Sequence, residues 1–167
     1  YNSEINVSDS NVYGYFFVEQ TSEIVIIASH LKSSVKADTV NLTIKNTDIG
    51  GALNSQDSKT DFVVIDDVTI TGSVAIDGIS VDLTNSSFSS SVEISHDIVN
   101  MTNISISSSS LYLNEVNSAV LRNVTINTQL LGVVEDLYLE GVHTGLGRNT
   151  LRVSKLWMSN STFEKAS

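Results

Sequence analysis

Residues 81–88, Val-Asp-Leu-Thr-Asn-Ser-Ser-Phe, and residues 99–106, Val-Asn-Met-Thr-Asn-Ile-Ser-Ile, state one phrase twice, 18 residues apart. Each runs apolar, any, apolar, any, Asn, two further residues, apolar. Working outward, the same phrase recurs as Ile5-Val7-Asp9-Val12, Ile24-Ile26-Ala28-Leu31, Leu42-Ile44-Asn46-Ile49 and Val63-Ile65-Asp67-Ile70 before this pair. After it come Ala119-Leu121-Asn123-Ile126, Leu137-Leu139-Gly141-Thr144 and Leu156-Met158-Asn160-Phe163. Taking the second apolar residue as the anchor, the nine copies are spaced 19, 18, 21, 18, 18, 20, 18 and 19 residues apart. A short period held along a whole chain is the mark of a stacked solenoid, in which each repeat buries its apolar face only against its neighbours.

The anchor and the residue two before it share parity, so in an extended strand they point the same way. Both are apolar in all nine copies, while residues such as Lys45, Asp66, Thr84 and Glu140 fall on the opposite side. That pattern is a short strand with one buried face. Two residues past the anchor stand Asn46, Asn85, Asn103, Asn123 and Asn160, with Asp9 and Asp67 as substitutes. Asn and Asp tolerate left-handed backbone, so the position reads as a corner at which stacked amides form a ladder. A second apolar pair follows, as in Phe16/Val18, Val35/Ala37, Val74/Ile76, Val92/Ile94 and Leu111/Leu113. Each period therefore holds two or three short strands divided by Ser-, Asp- and Gly-containing turns. An α-helix would need apolar spacing of three and four, and text rich in Val, Ser, Thr and Asn is poor helix material. A leucine-rich repeat would place its Asn three residues past the last strand leucine rather than two.

The reading is an all-β, single-domain parallel β-helix (a β-solenoid) of about nine coils over residues 1–167. Each coil adds about 4.8 Å, giving a rod on the order of 40 Å long. The phrase resembles the coils of right-handed parallel β-helix proteins of the pectate-lyase-like superfamily, and right-handedness is what that resemblance implies. Gly50-Gly51-Ala52-Leu53 also resembles the GGA[IL] turn of β-helical surface adhesins. Apolar residues do not recur every six, as a left-handed hexapeptide helix would require.

The chain has no Cys and no Pro and carries a net charge of −10, which argues against nucleic acid as a partner. No apolar run reaches membrane-spanning length. Between Lys59 and Arg122 there is no Lys or Arg, whereas the last twenty residues hold Arg148, Arg152, Lys155 and Lys165 against Glu164. One end is thus locally basic on an otherwise acidic rod. The chain begins at Tyr1 without Met, which suggests a processed form or an excised fragment.

Polysaccharide lyases and hydrolases on such folds gather Asp, Lys and Arg on one face of adjacent coils. The nearest equivalent is Asp66 and Asp67, with Asp48 one coil below and Asp82 one above. Lys45 is the one cation within a coil, so the chain is read as a non-enzyme, with Ca²⁺ the only cofactor these four carboxylates suggest. A degradative enzyme would depend on Asp66 and Asp67 together. His30, His96 and His143 do not stack and read as solvated turn residues. The column four past the anchor is Asn11, His30, Asp48, Thr69, Ser87, Ser105, Thr125, His143 and Thr162, too mixed for an ice-binding Thr array.

Asn-X-Ser/Thr sequons occur at Asn6, Asn41, Asn85, Asn100, Asn103, Asn123 and Asn160. Asn85, Asn103, Asn123 and Asn160 hold ladder positions, turned inward with their amides occupied by stacking. Asn6, Asn41 and Asn100 have outward strand parity and are the expected glycan carriers. Val120, Tyr138 and Trp157, each one before its anchor, should form an exposed apolar strip unless the Gly141–Gly147 stretch covers it. Exposed strips mark interfaces. With no helical or Pro-containing cap in the sequence, the ends invite another chain. The expected function is an extracellular or cell-surface structural subunit that self-associates head to tail, with Val120, Tyr138, Trp157, Arg148, Arg152 and Lys155 at the interface. The alternative is an adhesin or carbohydrate-binding segment of a larger β-helical surface protein.

Overall fold

The computed structural model describes residues 3–95 and 97–164, apart from the side chains of residues 57–59; His96 and Lys165 lie outside the described residues. Fifteen strands are described: β1 (Glu4–Ser8), β2 (Asn11–Val12), β3 (Phe16–Ile27), β4 (His30–Leu31), β5 (Val35–Ile49), β6 (Leu53–Ile70), β7 (Val74–Thr84), β8 (Ser87–Phe88), β9 (Val92–Ser95), β10 (Ile98–Ile106), β11 (Leu111–Ile126), β12 (Leu130–Glu140), β13 (His143–Thr144), β14 (Thr150–Ser159) and β15 (Thr162–Phe163). They form one coiled sheet in which each strand lies parallel on the equivalent strand of the next coil. The anchors make a single column. Val7 pairs with Ile26, Ile26 with Ile44, Ile44 with Ile65 and Ile65 with Leu83. Leu83 then pairs with Met101, Met101 with Leu121, Leu121 with Leu139 and Leu139 with Met158. Nine rungs bound about eight turns of a single parallel β-solenoid.

The residue two past the anchor is left-handed in every copy, with φ between 47° at Asp9 and 62° at Gly141. A left-handed residue in extended backbone breaks the in-out alternation. Positions one and two past the anchor both point outward, and position three then points inward together with position five. Val68, Ile104, Val124 and Val142 are buried at position three, beside Ser29, Thr47 and Ser86. The buried hydroxyls are satisfied in a repeating way. Ser86 Oγ donates to Thr84 O at 2.6 Å and accepts from Val68 N one coil below at 3.1 Å. Ser29 Oγ likewise donates to Ile27 O at 2.9 Å and accepts from Ser10 N at 3.2 Å.

The core fills the inside of three runs per coil. Ile24, Leu42, Val63, Val81, Val99, Ala119 and Leu137 lie beside the anchors, all with essentially no exposure. Val35/Ala37, Val74/Ile76, Val92/Ile94 and Leu111/Leu113 line the third run. The one polar break in the column five past the anchor, Thr144, is buried and its Oγ1 accepts from Asn149 Nδ2 at 2.9 Å. Ser55 and Thr60 also share a hydrogen bond within the core, 3.0 Å long. The Gly50-Gly51-Ala52-Leu53 turn is a crowded corner: a Cβ on Gly51 would sit 2.4 Å from Ser34 N, and one on Gly72 above it 2.5 Å from Ala52 N. Side chains there would push the coils apart.

Ala28 is the non-glycine of the nine corner residues with no side-chain group to offset its left-handed φ of 50°. Such a backbone costs an L-residue about 1–2 kcal/mol, less for Asn. Ala28→Asn should therefore raise stability, and Asn103→Ala lower it, each by about 1 kcal/mol in urea unfolding followed by circular dichroism.

Candidate binding surfaces of the rod

The outer face of the first run carries three columns, set one before, one after and three before the anchor. Val120 pairs with Tyr138 and Tyr138 with Trp157, so the three form a continuous strip along the rod axis. Trp157 is 51% exposed, and Val120 and Tyr138 are half-buried. Ion pairs flank the strip in the neighbouring columns. Arg122 Nε lies 3.5 Å from Glu140 Oε2, with its guanidinium 5.5 Å from the Tyr138 ring centre. On the other side Lys155 Nζ meets Asp136 Oδ1 at 2.9 Å, an interaction that raises the lysine pKa. Together Ser118, Val120, Arg122, Asp136, Tyr138 and Trp157 line an open groove of about 400 Å³. The Gly141–Gly147 stretch does not cover it. Gly145 and Gly147 pack instead against Asn127, Thr128 and Gln129 at a different corner.

The amide ladder is present. Asn103 Nδ2 donates to Asn85 Oδ1 at 3.0 Å and Asn123 Nδ2 to Asn103 Oδ1 at 3.2 Å. Asn85 Nδ2 turns aside to Asp66 Oδ1, also at 3.0 Å. Above Asn123 the ladder stops at Gly141, where a Cβ would sit 2.9 Å from Asn123 Oδ1. The expected inward placement of these amides is corrected: Asn85, Asn103, Asn123 and Asn160 are all exposed, because the left-handed corner turns their side chains out. Of the sequons with outward parity, only Asn6 is exposed, its Nδ2 bonded to Glu4 Oε1 at 2.7 Å. Asn41 is half-buried with Oδ1 closed off from solvent, and Asn100 Nδ2 donates to Asp82 at 2.7 Å. Outward parity is thus not the same as accessibility: neighbouring coils, only one strand spacing away, shade the middle of a flat face.

The four carboxylates do not converge. Asp82, Asp66, Asp67 and Asp48 stand one before, one after, two after and four after their anchors, in four separate columns. Asp48 lies near His30 Nδ1 at 3.5 Å, and His143 is exposed in the same column several coils away. Among the described residues no group of three or more His, Asp or Glu side chains is gathered as a metal site. Asp66 has a local structural role. The Thr84 hydroxyl donates to it at 2.7 Å, and with the Asn85 amide and nearby Lys45 this holds its carboxyl below the usual range against a smaller opposing effect of partial burial.

Both ends of the rod are open among the described residues. β14 pairs only with β12 and β15 only with β13; at the opposite end β1 pairs only with β3 and β2 only with β4. Leu156 and Met158, whose equivalents in the seven interior rungs are fully buried, are 52% and 55% exposed. Ile5, Val7, Val12 and Phe16 are half-buried at the other end. Arg148, Arg152 and Lys155 are exposed at the first of these ends, and Glu4, Asp9 and Glu19 at the second. No helix is long and apolar enough to cross a membrane. No family model, curated protein or solved structure matches the chain.

A carboxylate whose folded pKa is depressed stabilises the fold above its unfolded value, near 3.9, and loses that contribution as pH falls through the folded value. The stability difference between the native chain and Asp66→Asn should therefore be largest at neutral pH. It should shrink as the pH falls below the ordinary carboxylate value, about 4, when urea midpoints are compared.

Proposed function

We propose that this protein is an extracellular structural subunit that stacks end to end into a fibre, sheath or surface layer. The uneven charge of the rod supports this reading, with Arg148, Arg152 and Lys155 toward one end and Glu4, Asp9 and Glu19 toward the other, together with the apolar faces of the first and last described rungs. Full burial of a side chain the size of Leu or Met is worth about 1.5–3 kcal/mol, and Leu156 and Met158, each about half exposed, forgo roughly half of that. Next to them the edge strands present unpaired backbone groups, the feature by which β-sheets add strands from other chains. A second copy offers a rung of the same width and apolar pattern. The two ends differ, so such a contact is heterologous and propagates instead of closing. The acidic character of the rod flank keeps neighbouring filaments apart and limits growth to the ends. In this reading Asp48, Asp66, Asp67 and Asp82 are structural or solvating residues with no catalytic part and no Ca²⁺. The likeness to right-handed pectate-lyase-like β-helices rests on the repeat phrase alone.

A second reading is supported by the Tyr138–Trp157 groove. Aromatic faces accept the C–H face of a sugar ring, and Arg122 and Asp136 beside them are placed to bind hydroxyls. That arrangement suits an adhesin or carbohydrate-binding segment of a larger β-helical surface protein.

Negative-stain microscopy and light scattering at rising concentration should show rods growing by multiples of one subunit length. Leu156→Glu with Met158→Glu should leave monodisperse monomers, and a native chain that stays monomeric at high concentration sinks the assembly reading. For the second reading, titration with soluble oligosaccharides should shift Trp157 fluorescence, with the shift absent in Tyr138→Ala.

A further inference from the structure

The corner between the second and third runs is small in most coils and bulky in one. Backbone hydrogen bonds stack it: Lys32 N donates to Val12 O at 2.9 Å, Gly50 N to Leu31 O at 2.7 Å and Thr71 N to Ile49 O at 3.0 Å. Higher up the rod the corner reads Gly50-Gly51-Ala52, Thr71-Gly72-Ser73 and Ser89-Ser90-Ser91. At its foot, leading into β3, it reads Tyr13-Gly14-Tyr15-Phe16-Phe17, with Tyr13 70%, Tyr15 58% and Phe17 47% exposed. Val12, Phe16 and Val18 pack toward the core, so the alternation of the chain turns the other three rings outward. Their direction follows from that alternation and not from the place of their rung along the rod.

The rings are held in place by their neighbours. Tyr15 and Phe17 stack with centroids 6.1 Å apart and planes within 21°. The next coil lays an ammonium at each end of the patch. Lys32 Nζ lies 4.3 Å from the Tyr13 ring centre, and Lys36 Nζ 5.4 Å from that of Phe17. A ring face fixes a lysine without cancelling its charge. Beside Lys32 the corner drops to a shelf without side chains: a Cβ on Gly50 would meet Lys32 O at 3.0 Å, and one on Gly51 would meet Ser34 N at 2.4 Å. Across the shelf stands exposed Thr71, whose Oγ1 donates to Gly50 O at 2.6 Å and keeps a lone pair to accept with.

We propose that this corner binds a glycan through a terminal carboxylated sugar. The sugar's C–H face rests on Tyr15 and its carboxylate meets Lys32. The following sugar lies over Gly50-Gly51, with a hydroxyl donating to Thr71 two coils, about 10 Å, from Lys32. Charge complementarity selects this occupant. Glu19 lies beyond Phe17, at the end of the patch away from Lys32, so the anion is received at Lys32. A broad polyanion or an anionic membrane would meet the net charge of −10 around the patch, whereas one terminal carboxylate meets the lysine alone. The site is separate from the Tyr138–Trp157 groove and independent of end-to-end stacking.

Sialyllactose ends in a carboxylated sugar and lactose is its neutral core, so calorimetric titration of the native chain with both reads the charge directly. Sialyllactose should bind at least about tenfold tighter at low salt, the worth of one charge-assisted hydrogen bond. Lys32→Gln should remove that preference and Lys32→Arg keep it, while Tyr15→Ser should weaken both sugars. Circular dichroism matching the native chain verifies that these exposed substitutions leave the fold intact. In Tyr138→Ala the preference should be unchanged. Equal affinity for the two sugars, or no binding at millimolar concentration, overturns the proposal. So does a preference that survives Lys32→Gln and disappears in Tyr138→Ala, which would place the sugar in the other groove and leave that reading standing. Binding to phosphatidylserine vesicles without binding to sialyllactose overturns it in favour of a membrane surface.

Discussion

The left-handed residue two past each anchor is the constraint on which the rest of the structure depends. It appears in all nine rungs, at residues as different as Ala28, Asp67, Asn103 and Gly141. By breaking the alternation of an extended chain it lets the strand turn a corner without a loop. It also places two consecutive side chains outside and admits an extra inward column. The backbone needs the turn whichever residue supplies it, and among residues with a side chain Asn supplies it at low cost and adds an amide that can bond the coil below. The ladder is therefore a consequence of the corner and a modest reinforcement of it, with the chain of amides broken at Asp66 on one side and at Gly141 on the other.

In-register stacking does the remaining work. Because each coil lies directly on the last, every column is chemically coherent over several steps, and a local choice at one residue is felt by the two beside it. Thr84 and Asn85 orient towards Asp66, Lys155 reaches down to Asp136, and Asn100 reaches down to Asp82. The same rule that builds the interior applies to the outer rungs, where nothing in the geometry distinguishes the last described rung from a middle one except that no described rung lies beyond it. Exposure of Leu156 and Met158 follows from position rather than from composition. That is why the ends, not the flanks, carry the assembly reading.

The groove beside Tyr138 and Trp157 is where the two functional readings share residues. Trp157 lies on the last described rung, so a copy stacked on that end would narrow the open side of the groove. A glycan held there and an assembled joint are neighbours along one column.

Residue spacing alone determined a good deal. The nine anchors, the apolar residues two before them and the corner at plus two could be read directly because the period of a solenoid is written linearly in its chain. The Val120-Tyr138-Trp157 strip was legible for the same reason, since residues one coil apart share a column. Parity failed at the corner itself. The buried column of Ser29, Val68, Ser86 and Ile104 and the outward turn of Asn85 and Asn103 depend on a backbone dihedral that alternation does not encode. Accessibility also escaped it: Asn41 and Asn100 have the right parity yet are shaded or bonded by neighbours from other coils. The carboxylates Asp48, Asp66, Asp67 and Asp82, close in coil number, were sorted into separate columns only once the corner had rotated them apart. A sequence with a strict period determines which residues stack. Which way they face after a left-handed turn, and what stands beside them, is decided by the coil as a whole.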